Sequence, residues 1–102
     1  MKVTIQFFEG CPHWKVAEQR ILRASADLGR ADVEIAHQRV DSPEDAERLD
    51  FHGSPTILIN DRDPFPGRDL APSLGCRLYR TEEGMQGAPS VAQLRHVLRS
   101  AQ

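Results

Sequence analysis

Apolar and polar residues alternate at the start of the chain, Val3, Ile5 and Phe7 against Lys2, Thr4 and Gln6. That is the two-residue period of a β-strand, expected over residues 3–8, and the apolar Phe8 near its end points to burial on both faces. The period then changes. From Pro12 to Leu28 the apolar positions Ala17, Ile21, Ala24 and Leu28 recur at helical spacing, Val16 and Leu22 widen the stripe, and Gly29 supplies a stop. Val33 to Val40 is expected as a second strand; His37 and Arg39 fall on the same alternate positions as Val33 and Ile35, so its far end should curl or bulge.

Ser42-Pro43-Glu44-Asp45 reads as an N-cap, a first-position proline and an acidic first turn, opening a short helix through Ala46 and Leu49. Thr56–Ile59 is a compact apolar strand, and the polar, proline-rich and glycine-rich residues 60–75 form a loop. Cys76–Thr81 alternates again and is expected to pair antiparallel with the strand before it. Glu82 to Pro89 turns the chain, and Ser90-Val91-Ala92-Gln93 resembles a capping box ahead of Val91, Leu94, Val97 and Leu98 on one helical face. The order β-α-β-α-β-β-α describes an α/β domain whose βα units imply parallel strand pairs covered by helices.

Composition narrows the function classes. A chain of 102 residues makes one domain with a single core, here 1–102. A net charge of −2 and a pI near 6.0 leave no basic footprint, which argues against nucleic acid and against an anionic membrane surface as partners. No apolar run approaches the ~20 residues of a membrane-spanning helix and the N-terminus lacks the pattern of a secretory leader, so a cytoplasmic location is expected. Two cysteines make neither a disulfide framework nor a zinc pattern, and His37, His52 and His96 show no ligand spacing, so no metal or cofactor is expected.

Cys11 is the residue that carries chemistry. It lies where the first strand runs into the first helix, and a cysteine at a helix N-terminus faces unpaired N–H groups and the positive end of the dipole. Such placement lowers a thiol pKa from about 8.5 toward roughly 3.5 to 7.5, the range of reactive thiolates. Pro12 fits the first helical position and Gly10 frees the turn. A lone cysteine is more often a small buried hydrophobe; the strand-turn-helix setting is what favours the reactive reading. His13 is placed either to polarise the thiol or to sit in solvent, and Glu9 reads as an exposed carboxylate.

The element order, with Gly10-Cys11-Pro12-His13-Trp14 after the first strand and Phe51-His52-Gly53-Ser54-Pro55-Thr56 before the third, resembles the thioredoxin fold over essentially the whole chain. The resemblance implies a three-layer α/β/α architecture around a central mixed four-stranded sheet. In that family a Cys-x-x-Cys opens the first helix, and Cys-Pro-His is how its strong disulfide oxidases begin. A cis-proline faces the reactive cysteine, and the backbone of the preceding residue binds extended substrate. These roles pass by position to Pro55 and Ser54, with Pro12, Trp14 and Thr56 completing a substrate groove and Cys11 and His13 the catalytic pair.

Trp14 stands in place of the second cysteine, as packing or as one wall of the groove. The chain therefore resembles a monothiol thiol-disulfide oxidoreductase whose Cys11 mixed disulfide is resolved by an outside thiol, such as a low-molecular-weight thiol. Cys76 is expected to be structural, because a strand antiparallel to Thr56–Ile59 would begin at the end of the sheet remote from Pro55, beyond the roughly 7 Å that a disulfide spans. The rival function is a binding module on the same scaffold, holding a peptide or protein partner without turnover. Small bacterial proteins similar to this chain are sometimes labelled organomercurial lyases; that chemistry wants two soft thiolates and a carboxylic acid around one metal, and the expected separation of the cysteines argues against it.

Overall fold

Val3 and Ile5 are both fully buried, and they hold β1 (Lys2–Phe7) at the centre of a three-stranded sheet. The computed structural model describes residues 1–65 and 74–101. β2 (Glu34–Arg39) runs parallel to β1 and β3 (Thr56–Ile59) antiparallel to it, giving a mixed sheet in the order β2-β1-β3. Lys2 to Phe7 pair one for one with Glu34 to Arg39, so the bulge expected in β2 is absent. Its polar residues are explained by position: β2 is an edge strand, and His37 is exposed.

Between β1 and β2 the chain forms α1 (His13–Asp27), which packs against α3 (Val91–Ser100). Ala17, Ile21 and Ala24 of α1 are fully buried and join Val3, Ile5, Ile57, Leu94 and Leu98 in one core. Burying each of the larger side chains is worth about 1.5–3 kcal/mol. Val16 and Leu22 do not widen this stripe; both are exposed. A second, smaller cluster of Val40, Ala46 and Phe51, with Phe8 and Leu49 packed on it, secures the short α2 (Pro43–Arg48). Both expected caps are present. The Ser42 hydroxyl accepts from Asp45 N–H at 3.1 Å, and Ser90 and Gln93 satisfy each other's backbone N–H groups as a capping box.

The C-terminal half departs from expectation. Residues 66–73, within the expected 60–75 loop, lie outside the described residues. The stretch expected as one strand from Cys76 to Thr81 becomes strand only at β4 (Tyr79–Thr81), and β4 pairs with β5 (Gly84–Gln86) in a separate two-stranded hairpin instead of adding a fourth strand to the sheet. The alternation is real but faces the other way round from a simple apolar-in rule: Arg77, Tyr79 and Thr81 are buried, whereas Cys76, Leu78 and Arg80 are exposed. A buried ion pair with Asp63 is what allows an arginine inside. None of the helices is long and apolar enough to cross a membrane among the described residues.

Candidate active site

The turn that presents Cys11 begins where β1 ends. Gly10 adopts φ +93°, a left-handed value that costs glycine little, and the Cys11 N–H then donates to the Phe8 carbonyl at 3.3 Å. Pro12 is the N-cap residue of α1, one position earlier than expected, and the helix opens at His13. Cys11 is 3% exposed, and its thiol donates to the Ser54 carbonyl oxygen at 3.6 Å.

Ser54 and Pro55 are fully buried and joined by a cis peptide bond. Gly53, at φ +111°, starts this turn, and the Thr56 hydroxyl closes it by donating to the Gly53 carbonyl at 2.6 Å. Tyr79 closes it from the other side, its phenol donating to the Pro55 carbonyl. The strand β3 then leaves for the core. Sequence-expected Cys11, Pro12, Ser54 and Pro55 are thus gathered at one end of the sheet, while the Thr56 hydroxyl is spent on its own turn.

The backbone edge of Ser54, expected to receive extended substrate, is already taken by the chain itself. Ser54 N–H donates to Gly75 at 2.8 Å, Arg77 N–H donates to Ser54 at 3.0 Å, and Ser54 and Cys76 form a parallel bridge. Cys76 is therefore beside the cis-proline turn and not remote from it. The expectation failed because it placed Cys76 in a strand antiparallel to β3, whereas residues 75–77 run alongside Ser54 before the chain turns off into the hairpin.

Arg77 fixes this segment. Its guanidinium bonds Asp63 at 2.6 Å and the Phe65 carbonyl at 3.3 Å and lies 4.7 Å from the centre of the Tyr79 ring. The Arg77 and Asp63 side chains are only 5% and 8% exposed, so their attraction is little screened. Below Gly53 there is no room for a side chain: a Cβ there would lie 2.9 Å from Arg77 Cβ.

Cys11 and Cys76 are both free thiols and both meet at Ser54, the Cys11 thiol on its carbonyl and Cys76 in the bridge beside it. Desolvation, and then the charge and hydrogen bonding of Cys11, raise the Cys76 pKa above the ordinary thiol value. Ser54 Oγ adds an oddity, since it is buried without a hydrogen-bond partner among the described residues.

Other candidates sit elsewhere. The His13 ring lies against Gly87, where an added Cβ would overlap it. Trp14 stacks on Phe7 with ring centroids 4.4 Å apart and meets His37 edge-on at 5.4 Å, and His37 in turn pairs with Glu18. Glu9 is exposed and bridges to Arg39 at 3.2 Å. Sequence reasoning missed Asp63, Arg77 and Tyr79, because an inward arginine depends on a long-range ion pair with Asp63 that leaves no local signal. Among the described residues no group of three or more His, Cys, Asp or Glu is arranged to hold a metal ion. Comparison with protein-family models, curated proteins and solved structures finds no match for the chain.

Proposed function

We propose that the protein is a thioredoxin-like thiol-disulfide oxidoreductase whose redox sulfur is Cys11. The observation that supports this is the Cys11 thiol at the strand-to-helix turn, bonded to the carbonyl of the cis Ser54-Pro55 unit. In the net reaction a substrate disulfide gains two electrons and two protons and leaves as two thiols, and a second pair of thiols supplies them and leaves as a disulfide. Because Gly75 and Arg77 already fill the Ser54 backbone edge, the reading favours low-molecular-weight disulfides over extended peptides. His13, packed against Gly87, serves structure in this proposal.

The test is turnover of a small disulfide such as glutathione disulfide or hydroxyethyl disulfide in the presence of a reducing thiol. Cys11→Ser is expected to abolish it. Unchanged turnover in that variant would overturn the proposal, and absence of turnover in the native protein would return the chain to the binding-module reading. The two cysteines that meet at Ser54 also favour a second reading, capture of one soft metal ion between two sulfurs. Stoichiometric binding of a soft cation, lost in either cysteine variant and unaccompanied by disulfide turnover, would select it.

A further inference from the structure

We infer that Cys76 is the second thiol of the redox couple: exposed at the surface, it exchanges first with the substrate disulfide, and the buried Cys11 then closes onto it as an intramolecular disulfide. The inference rests on the reading of Cys11 as a redox sulfur and replaces the external resolving thiol with one that the chain carries.

Paired strand segments lie about 4.7–4.9 Å apart, and a disulfide needs Cα atoms within roughly 7 Å. Cys76 is paired with Ser54, and the Cys11 thiol sits on the Ser54 carbonyl, so both cysteines meet at one residue. Backbone bonds from Gly75 and Arg77 hold Cys76 from both sides, and the buried Arg77–Asp63 pair anchors the next residue, so the second sulfur is held in place before reaction. Access decides the order. An attacking thiolate must reach the substrate's sulfur–sulfur bond in line, and Cys11 at 3% exposure offers little room, whereas Cys76 is exposed.

The steps balance. Cys76 loses its proton to solvent and attacks R–S–S–R, forming Cys76–S–S–R and releasing R–S⁻, which is protonated. Cys11 then loses its proton, attacks the Cys76 sulfur and expels the second R–S⁻. The substrate has gained two electrons, the protein holds a Cys11–Cys76 disulfide, and a low-molecular-weight thiol reduces that bond by the same exchange in reverse. Because the Cys76 pKa is raised, the first step should quicken as pH rises, and a thiolate of higher pKa is also the stronger nucleophile per ion.

The experiment is an intact-mass time course with hydroxyethyl disulfide on the native protein, Cys11→Ser and Cys76→Ser, with circular dichroism confirming that each is folded. The native protein is expected to lose two hydrogens without retaining an adduct. Cys11→Ser should stop at a mixed disulfide on Cys76, and Cys76→Ser should form its adduct about tenfold or more slowly, as access requires. A native protein that ends as an adduct without a bridge, or a Cys11 adduct forming faster than the Cys76 one, would overturn the inference. If Cys76→Ser does not fold, peptide mapping of the native protein after a short pulse of probe gives the same order of attack. Turnover that survives Cys76→Ser sinks this inference and leaves Cys11 monothiol chemistry standing; a bridge that forms without turnover does the reverse.

Discussion

Tyr79 donates its phenolic hydrogen to the carbonyl oxygen of Pro55, tying β4 to the turn against which the Cys11 thiol rests. Both residues are buried, so water cannot replace the bond. Tyr79→Phe should cost about 1–3 kcal/mol, the penalty for leaving a buried acceptor unpaired, with little change in ring packing. Chemical denaturation compared between the two proteins measures it; equal midpoints would mean that this bond does not hold the turn.

The same phenol sets an alkaline limit on the fold. Burial pushes its pKa well above the ordinary phenol value, and Arg77 nearby offsets only part of that. The folded state therefore keeps the proton more tightly than the unfolded chain. This contribution to stability is complete below the unfolded phenol pKa of about 10 and falls as pH rises beyond it. The chain has a single tyrosine, so its ultraviolet signal is unambiguous. Tyrosinate absorbance should appear together with loss of secondary structure; a phenolate titrating in the intact fold would contradict the burial.

Gly53→Ala tests the contact between the cis-proline turn and the segment carrying Cys76. Alanine resists φ +111°, and its Cβ would press on Arg77 Cβ at 2.9 Å, with backbone atoms of Arg77 close behind. Strain and overpacking together should cost about 2–4 kcal/mol. Because the displaced residue is Arg77, the Cys11–Cys76 bridge should also form more slowly than in the native protein. A stability loss with bridge formation unchanged would show that the two segments are less coupled than the ladder at Ser54 implies.

How far the sequence reaches can be read from these residues. Periodicity located β1, α1, β3 and α3 because each buries its apolar face against a neighbour of ordinary kind, and the Ser42 and Ser90 caps are local chemistry visible in a few letters. Cys11 was legible for the same reason, as a residue at a junction between two clear periods. Cys76 was not. Its location depends on a long-range bridge to Ser54 and on Asp63 neutralising an inward arginine, and neither leaves a periodic trace. The hairpin was missed because strands of three residues are too short to show a period, although Gly84 directly after the Glu82-Glu83 turn was a hint.

The raised pKa of Cys76 has a testable division of causes. Desolvation is the largest, followed by the charge and hydrogen bond of Cys11. In Cys11→Ser the second group of causes disappears while the first remains. The pH midpoint for alkylation of Cys76 should therefore fall relative to the native protein, yet stay above that of a free thiol, about 8.5. Rates against pH with a small alkylating agent, mapped to the Cys76 peptide, decide the point. An unchanged midpoint would separate the two sulfurs and remove the basis for their coupling.

Trp14→Cys asks whether the turn has the geometry that the thioredoxin resemblance implies. Position 14 lies in the first turn of α1, where a second thiol would stand in that family, and the indole now fills the space over Phe7 and His37. Removing a half-buried aromatic of this size should cost about 2 kcal/mol, roughly half of the loss for a core tryptophan. In the double variant Trp14→Cys, Cys76→Ser the only partner left for Cys11 is the introduced thiol, so oxidation should remove two hydrogens and reduction should restore them. With Cys76 present, the two candidates compete for Cys11, and peptide mapping shows which bridge forms. Cys76 should win, since backbone bonds and the buried Arg77 already hold it beside the sulfur, whereas the introduced thiol gains its place only by chain direction. A folded double variant that forms no bridge would mean that the helix opens at the wrong angle for a Cys-x-x-Cys turn, and the thioredoxin-like reading of Cys11 would lose its geometric basis.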